Sequence, residues 1–412
     1  MKTYFYNNWE IVSNETLDFF ESGLEDAEVK PSGIFDKIIA FSSKKGKTKK
    51  ITEMRLEDLE SDLTESLENY YASDSTFYPA VNIAYFNKET LEVEFCHFLD
   101  ALSESRYAFS KKRVHLLALG DVGGQLATGL KLLGGEVIHT LGLYDINPNV
   151  IKRYEFELNQ VAINPELKVI GLEESELFDA DVFLFCASKY VPKVGEVVAD
   201  VRMAQYEDNS KLVAHFATLA RKKAFKGIFG VVSDPVDLLC LSAYHSSNLN
   251  DEGVFDQRGL LPEQVVGFGL GVMDARAKYY SDLLNYHYPV VGRAYGPHGK
   301  DLVIVENVEK EAIDKSVILT EKVVTANLEM RALGFKPFIA PALSSGAISV
   351  VKMLAGEYHY SANFLNGIYW GAMNKRKDNY VNFEKLHLPK NEYDRVKAAY
   401  DKLEALWEAL MS

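Results

Sequence analysis

From Arg113 onward, short continuous apolar runs alternate with segments of helical period, a pattern that predicts a parallel sheet covered by helices on both faces. Residues 114–119 form the first apolar run, residues 125–133 the helix after it, and residues 137–144 the second run, together one βαβ unit. Further strands are predicted at 182–186 and 227–232, and an amphipathic helix at 392–410 closes the chain. The first 110 residues differ. Candidate strands at 37–41, 81–86 and 91–98 are mixed with one helix on which Leu56, Leu59, Leu63 and Leu67 share a face. The predicted organisation is an N-terminal α+β extension at 1–110 without a catalytic constellation, a Rossmann-type doubly wound parallel sheet at 111–240, and a mixed α/β substrate domain at 241–412.

With 412 residues and 47% hydrophobic content, the chain can bury a core large enough for several domains. Its formal net charge of -14 argues against a nucleic-acid partner, whose phosphates need clustered cations. The one dense basic run, Lys44 to Lys50, contains Gly46-Lys47-Thr48, but a P-loop would need glycine where Phe41 stands, so a solvated turn is expected. Cys96, Cys186 and Cys240 lie far apart in apolar runs, which suggests neither disulfides nor a zinc knuckle and points to a reducing, cytoplasmic setting. The start lacks the apolar stretch of a signal peptide, and no uncharged run is long enough to span a bilayer, so no membrane partner is expected.

The turn Ala118-Leu119-Gly120-Asp121-Val122-Gly123 follows a strand and opens a helix, the setting of a dinucleotide fingerprint with alanine at its first position. Gly120, Val122 and Gly123 would let the backbone approach a pyrophosphate, and the helix start would offer it unpaired N–H groups. Asp145 ends the next strand. A carboxylate there accepts both ribose hydroxyls and repels a 2'-phosphate, so NAD is favoured over NADP.

These segments resemble the lactate/malate dehydrogenase family, and the resemblance runs from about Arg113 to the C-terminus. Gly120 to Ala127 is similar to that family's Gly-x-Val-Gly helix opening. Residues 178–187 resemble its Asp-Ala-Asp strand, ending at Ala187 beside the cofactor and leading into the loop that closes on substrate. Arg202 precedes Asn209 by seven residues, as the family's loop arginine precedes its helix asparagine, and residues 338–342 resemble the malate-type helix near substrate. His298, in Gly296-Pro297-His298-Gly299, resembles the catalytic histidine. An imidazole with an ordinary pKa near 6.5 can take the hydroxyl proton of a 2-hydroxy acid and return it.

The resemblance implies that Arg276 grips the substrate carboxylate through its planar fork, that Arg202 polarises the carbonyl once the loop closes, and that Asp274 orients His298. It also implies a homo-oligomer. Hydride transfer needs no metal, and no histidine pair has metal-ligand spacing. A glycosidase that uses NAD on this fold would need a Cys and His metal pair, for which Cys240 and His245 are the nearest candidates.

Three departures stand out. Asp234-Pro235 replaces the family's Asn-Pro and sets a carboxylate beside the expected substrate. Two unit charges about 4 Å apart interact by roughly 4 kcal/mol at an effective dielectric of about 20, so an unpaired Asp234 would weaken binding of an anion. Asp274 and Arg276 stand two apart rather than three, about 200° around a helix instead of about 300°, which separates their faces. The loop from Gly195 to Arg202 is about four residues longer than usual, and Lys193 lies near the position that separates lactate from malate enzymes. The expected activity is NAD-dependent oxidation of a small 2-hydroxy acid or reduction of a 2-oxo acid. The alternative is a catalytically weak relative with a sensing or assembly role.

Overall fold

The computed structural model describes residues 2–6, 9–13, 36–43, 51–54, 67–71, 81–87, 111–189, 201–377 and 380–411. Its strands are β1 (Lys2–Tyr6), β2 (Trp9–Ser13), β3 (Asp36–Ser43), β4 (Ile51–Met54), β5 (Val81–Asn87), β6 (Lys112–Leu117), β7 (Ile138–Tyr144), β8 (Lys168–Gly171), β9 (Val182–Phe185), β10 (Ile228–Val231), β11 (Val265–Gly267), β12 (Arg293–Tyr295), β13 (Val303–Val305), β14 (His359–Leu365), β15 (Ile368–Lys377) and β16 (Tyr380–Phe383). The helices used below are α1 (Glu68–Tyr71), α2 (Asp121–Leu133), α3 (Pro148–Asn159), α4 (Val201–Lys222), α5 (Val236–Ser247), α6 (Leu270–Leu284), α7 (Ile313–Ala332) and α8 (Lys390–Met411).

The central sheet has the order β16-β15-β14-β11-β10-β9-β6-β7-β8. From β8 to β11 every pairing is parallel, and β6 lies between β7 and β9. The chain therefore runs outward from β6 in one direction, returns, and runs outward in the other, a doubly wound Rossmann-type sheet whose reversal point opens at the carboxyl ends of β6 and β9. The strands β6, β9 and β10 are almost wholly buried, which explains why they read as continuous apolar runs rather than alternating ones. The parallel sheet continues past residue 240 to β11, and β14 joins it antiparallel at Gly267 and Ala362. A three-residue strand leaves too short an apolar run to stand out in the sequence.

Two apolar layers flank the sheet. On one side Leu126, Ala127 and Leu130 of α2 are fully buried with Val114, Leu116, Leu141 and Ala347. Truncating one such leucine to alanine would cost about 2–5 kcal/mol. The other layer joins Phe183, Phe185 and Phe229 to α4, α5 and the C-terminal helix α8 through Val213, Leu239 and Leu403.

The N-terminal strands form a separate sheet in the order β1-β2-β3-β5-β4. Of its predicted elements, 37–41 and 81–86 fall within β3 and β5. The predicted strand at 91–98, the basic run Lys44 to Lys50, and Leu56, Leu59 and Leu63 lie outside the described residues. Leu67 begins a short segment, with α1, that is docked on the rest of the fold: the amides of Leu386 and Leu388 donate to the carbonyls of Tyr70 and Tyr71 at 2.9 Å each. Among the described residues, no helix is long and apolar enough to cross a membrane.

Candidate functional site

The glycine turn is built by contact as much as by flexibility. Ala118 leaves β6 with φ 74°, in the left-handed region where a Cβ is strained. That turn directs the Ala118 carbonyl onto Gly123, where any Cβ would collide with the carbonyl oxygen. At Gly120 a Cβ would meet nothing within 4 Å, so the outer side of the turn is open to a ligand. No side chain caps α2 at Gly120, which leaves its first-turn amides facing outward without intrahelical acceptors.

Asp145 belongs to the same unit. Its Oδ2 accepts the Leu119 amide at 2.8 Å and its Oδ1 accepts the Asn147 amide at 2.9 Å. The carboxylate is thus fixed beside the turn, with lone pairs left for further donors. Open turn, bare amides and fixed acid fit the pyrophosphate and ribose of a dinucleotide. Asp121, in the first turn, would oppose a pyrophosphate, and Lys336 pairs with it at 3.1 Å.

Ala187 follows β9, and its carbonyl accepts the Ser233 hydroxyl at 2.8 Å, which ties the ends of β9 and β10 together. Asn209, fully buried on α4, bridges the same two ends. It donates to the Asp234 carbonyl at 2.9 Å and accepts the Lys189 amide at 2.9 Å. Asp234 is therefore held at the mouth of the sheet, immediately before the start of α5.

His298 lies in the loop between β12 and β13. Its Nδ1 is 2.9 Å from Oδ1 of Asp234, with the imidazole 12% exposed and the carboxylate 46% exposed. A carboxylate has no proton to give at neutral pH, so Nδ1 donates. Nε2 is buried without a hydrogen-bond partner. The glycines around His298 have separate causes: Gly296 takes φ 95° under the Trp370 ring, and Gly299 takes φ 140° in open space.

Asp274 does not meet His298. Its Oδ1 accepts the Tyr288 hydroxyl at 3.0 Å and its Oδ2 pairs with Lys278 at 2.7 Å. The two-residue spacing to Arg276 had already separated their faces, and the carboxylate that meets His298 is that of Asp234. That contact also alters the repulsion expected from Asp234, because its charge faces an imidazole N–H.

Arg276 is half-buried on α6 beside the Met273 thioether, and one arm of its fork donates to Oδ1 of Asn327 at 2.5 Å. No carboxylate lies within ion-pair distance of it among the described residues. Burial pulls its pKa below the ordinary guanidinium range, and the nearby Tyr280 and Asp234 partly counter this. A buried guanidinium without an anion is a ready receptor for one. Asn327, 51 residues away, left no sequence signal of this contact.

Arg202 occupies the first turn of α4. Lys193 lies outside the described residues. Among the described residues no group of three His, Cys, Asp or Glu side chains could hold a metal, and Cys240 is buried with its thiol pKa pushed up by desolvation.

Residues 112–256 match the family model described as lactate/malate dehydrogenase, NAD binding domain. The L-lactate dehydrogenase of Mycoplasma mobile is 29% identical over 199 residues, which are 47% of this chain and 57% of that protein. The L-lactate dehydrogenase of Borrelia hermsii is 21% identical over 292 residues, 64% of this chain and 86% of that protein. The chain spans about half the length of the first of the curated relatives it matches.

Among solved structures, the ligand-bound minor L-lactate dehydrogenase of Enterococcus mundtii superposes with a TM-score of 0.59 at 20% identity, covering 73% of this chain and 98% of that one. The malate dehydrogenase of Cryptosporidium parvum gives 0.58 at 19% identity, covering 73% and 99%. At those identities the superpositions establish the fold. The matched segment contains the glycine turn joined to Asp145, so residues 112–256 are similar to the NAD binding domain of lactate/malate dehydrogenases in sequence as well as in fold.

Proposed function

We propose that the protein is an NAD-dependent dehydrogenase that interconverts a small 2-hydroxy acid and its 2-oxo acid. One observation carries this reading: an imidazole held through Nδ1 by Asp234, with a buried, unpartnered Nε2, and a half-buried guanidinium, Arg276, that feels the same Asp234 electrostatically but pairs with no carboxylate at ion-pair distance among the described residues. Bound NAD(H) would supply the hydride acceptor in one direction and the donor in the other. The chain's own residues supply the rest. Nε2 of His298 accepts the substrate hydroxyl proton and returns it in reverse. The free side of the Arg276 fork takes the carboxylate, and Arg202, on the first turn of α4, is assigned to the carbonyl oxygen. Lys193 is assigned to the substrate side chain. Gly120, Val122, Gly123, Asp145 and Ala187 are assigned to the cofactor, with Asn209 holding the β9 and β10 ends together beneath it.

In the same proposal residues 1–110 are an added module, 111–240 the core of the nucleotide-binding part, and 241–412 the part that carries His298 and Arg276. The protein would act in the cytoplasm as a homo-oligomer. The test is NADH oxidation followed against pyruvate, oxaloacetate, and branched and aromatic 2-oxo acids, with His298→Asn alongside. Turnover that falls by about two to four orders of magnitude in that variant, with NADH binding kept, supports the reading. The absence of turnover with every acid in the panel would sink it.

A further inference from the structure

We propose that Asp234 is the positioning residue for His298, and that the carboxylate orienting the imidazole comes from the turn after β10 rather than from α6. The inference rests on the proton-transfer role given to His298 above.

Three observations converge. Oδ1 of Asp234 lies 2.9 Å from Nδ1, and the Asn209 amide fixes the Asp234 backbone at 2.9 Å, so the carboxylate is presented rather than free to wander. Asp274 is engaged at both oxygens, by Tyr288 and Lys278, on a helix face turned elsewhere. Met273, three residues before Arg276, is buried and carries no charge, so the α6 face that also bears Arg276 offers the ring no acid. Arg276 is a charged group near this pair, and Asp234 acts on it electrostatically.

The chemical consequence is a choice of tautomer. With Nδ1–H donated to Asp234, Nε2 carries a lone pair and can accept a proton. With the proton on Nε2, the ring could not act as the base. When Nε2 takes the substrate proton, the Nδ1–H bond stays in place and the Asp234 charge offsets the imidazolium. On the return path Nε2 gives the same proton back, and Asp234 neither gains nor loses one.

The test uses the whole chain labelled with 15N-histidine, without substrate, at about pH 8, above the ordinary imidazole range. The His298 signals are identified by their loss in His298→Asn. In the wild-type protein Nδ1 is expected to carry the proton. In Asp234→Ala the ring is expected to move to the Nε2–H form that neutral imidazoles favour in water. Asp274→Asn is expected to leave the His298 signals in place. An unchanged tautomer in Asp234→Ala, or a changed one in Asp274→Asn, overturns the proposal. If Asp234→Ala does not fold, the wild-type spectrum decides, because a proton on Nε2 is incompatible with donation to Asp234.

With a substrate from the panel, Asp234→Asn should lower kcat by on the order of 10²–10⁴ while KM changes much less. A loss confined to KM would instead make Asp234 a substrate contact. If no acid is turned over, the dehydrogenase reading fails, but the tautomer result still decides whether Asp234 orients the ring.

Discussion

Oδ2 of Asp145 accepts the Leu119 amide at 2.8 Å, which makes the acid at the end of β7 and the glycine turn after β6 parts of one hydrogen-bonded unit. Adjacent parallel strands bring them together, since Leu117 stands opposite Tyr144 in the register. The same carboxylate that would read the ribose also braces the loop that would receive the pyrophosphate.

Asp145→Ser should therefore have two effects. The preference for NADH over NADPH should narrow, because a hydroxyl does not repel a 2'-phosphate. NADH itself should also bind more weakly, because the turn loses a charge-assisted bond of about 1.5–3 kcal/mol. Fluorescence titration with both cofactors checks this. A wild-type chain that binds the two equally would remove Asp145 from the ribose.

Ala118 holds φ 74°, a conformation that costs a residue with a Cβ about 1–2 kcal/mol and glycine almost nothing. Ala118→Gly should relieve that strain, less the added entropy of the unfolded chain, for a net gain on the order of 0.5–1 kcal/mol. Urea denaturation reads the difference. A destabilised Ala118→Gly would mean that the methyl group supports the turn by packing against its neighbours.

Local rules made the nucleotide half legible. A buried parallel strand reads as an apolar run, a glycine turn follows it, and an acid ends the next strand, so β6, α2, β7 and Asp145 all fall close to their predicted places. The strand β11 and the pair β12 and β13, at three residues each, are defined by neighbours far along the chain and gave no periodic signal. The site divided in the same way. His298 and Arg276 carry recognisable surroundings, whereas the partners that orient them, Asp234 at a separation of 64 residues and Asn327 at 51, are set by the tertiary fold. The spacing of Asp274 to Arg276 did hold the warning that Asp274 faces elsewhere.

Tyr71 reaches from the N-terminal segment to the site. It is 1% exposed and meets Tyr295 edge-on with ring centroids 5.0 Å apart, one residue before the loop that carries His298. Its hydroxyl is buried without a partner, so the ring supplies the packing. Tyr71→Ala should cost about 3–5 kcal/mol, while Tyr71→Phe should be neutral or mildly stabilising. Thermal unfolding of the pair separates packing from polarity. If Tyr71→Ala unfolds at the wild-type temperature, α1 does not support the histidine loop.

His359 gives the fold a pH dependence whose sign can be worked out. The side chain is buried on β14, with Nδ1–H donating to the Glu357 carbonyl at 3.0 Å and Nε2 facing the Ser361 hydroxyl at 3.1 Å. Burial, helped by the positive Arg376 and Lys352 and opposed by the Glu357 carbonyl, pulls its pKa down to about 4. In the unfolded chain the ring takes a proton near pH 6.5. The unfolded state thus binds more protons between these values, and stability from this group is fully present above about pH 6.5 and is lost as pH falls towards 4. The slope from one such group is at most about 1.4 kcal/mol per pH unit. His359→Gln removes the titration and keeps a donor and an acceptor in place. Urea midpoints measured from about pH 7 down to about pH 5 should fall more steeply for the wild-type protein than for the variant. Parallel curves would mean that His359 is not the group protonated on unfolding, and that the acid sensitivity lies with carboxylate pairs such as Asp256 and Arg221, which meet at 2.6 Å.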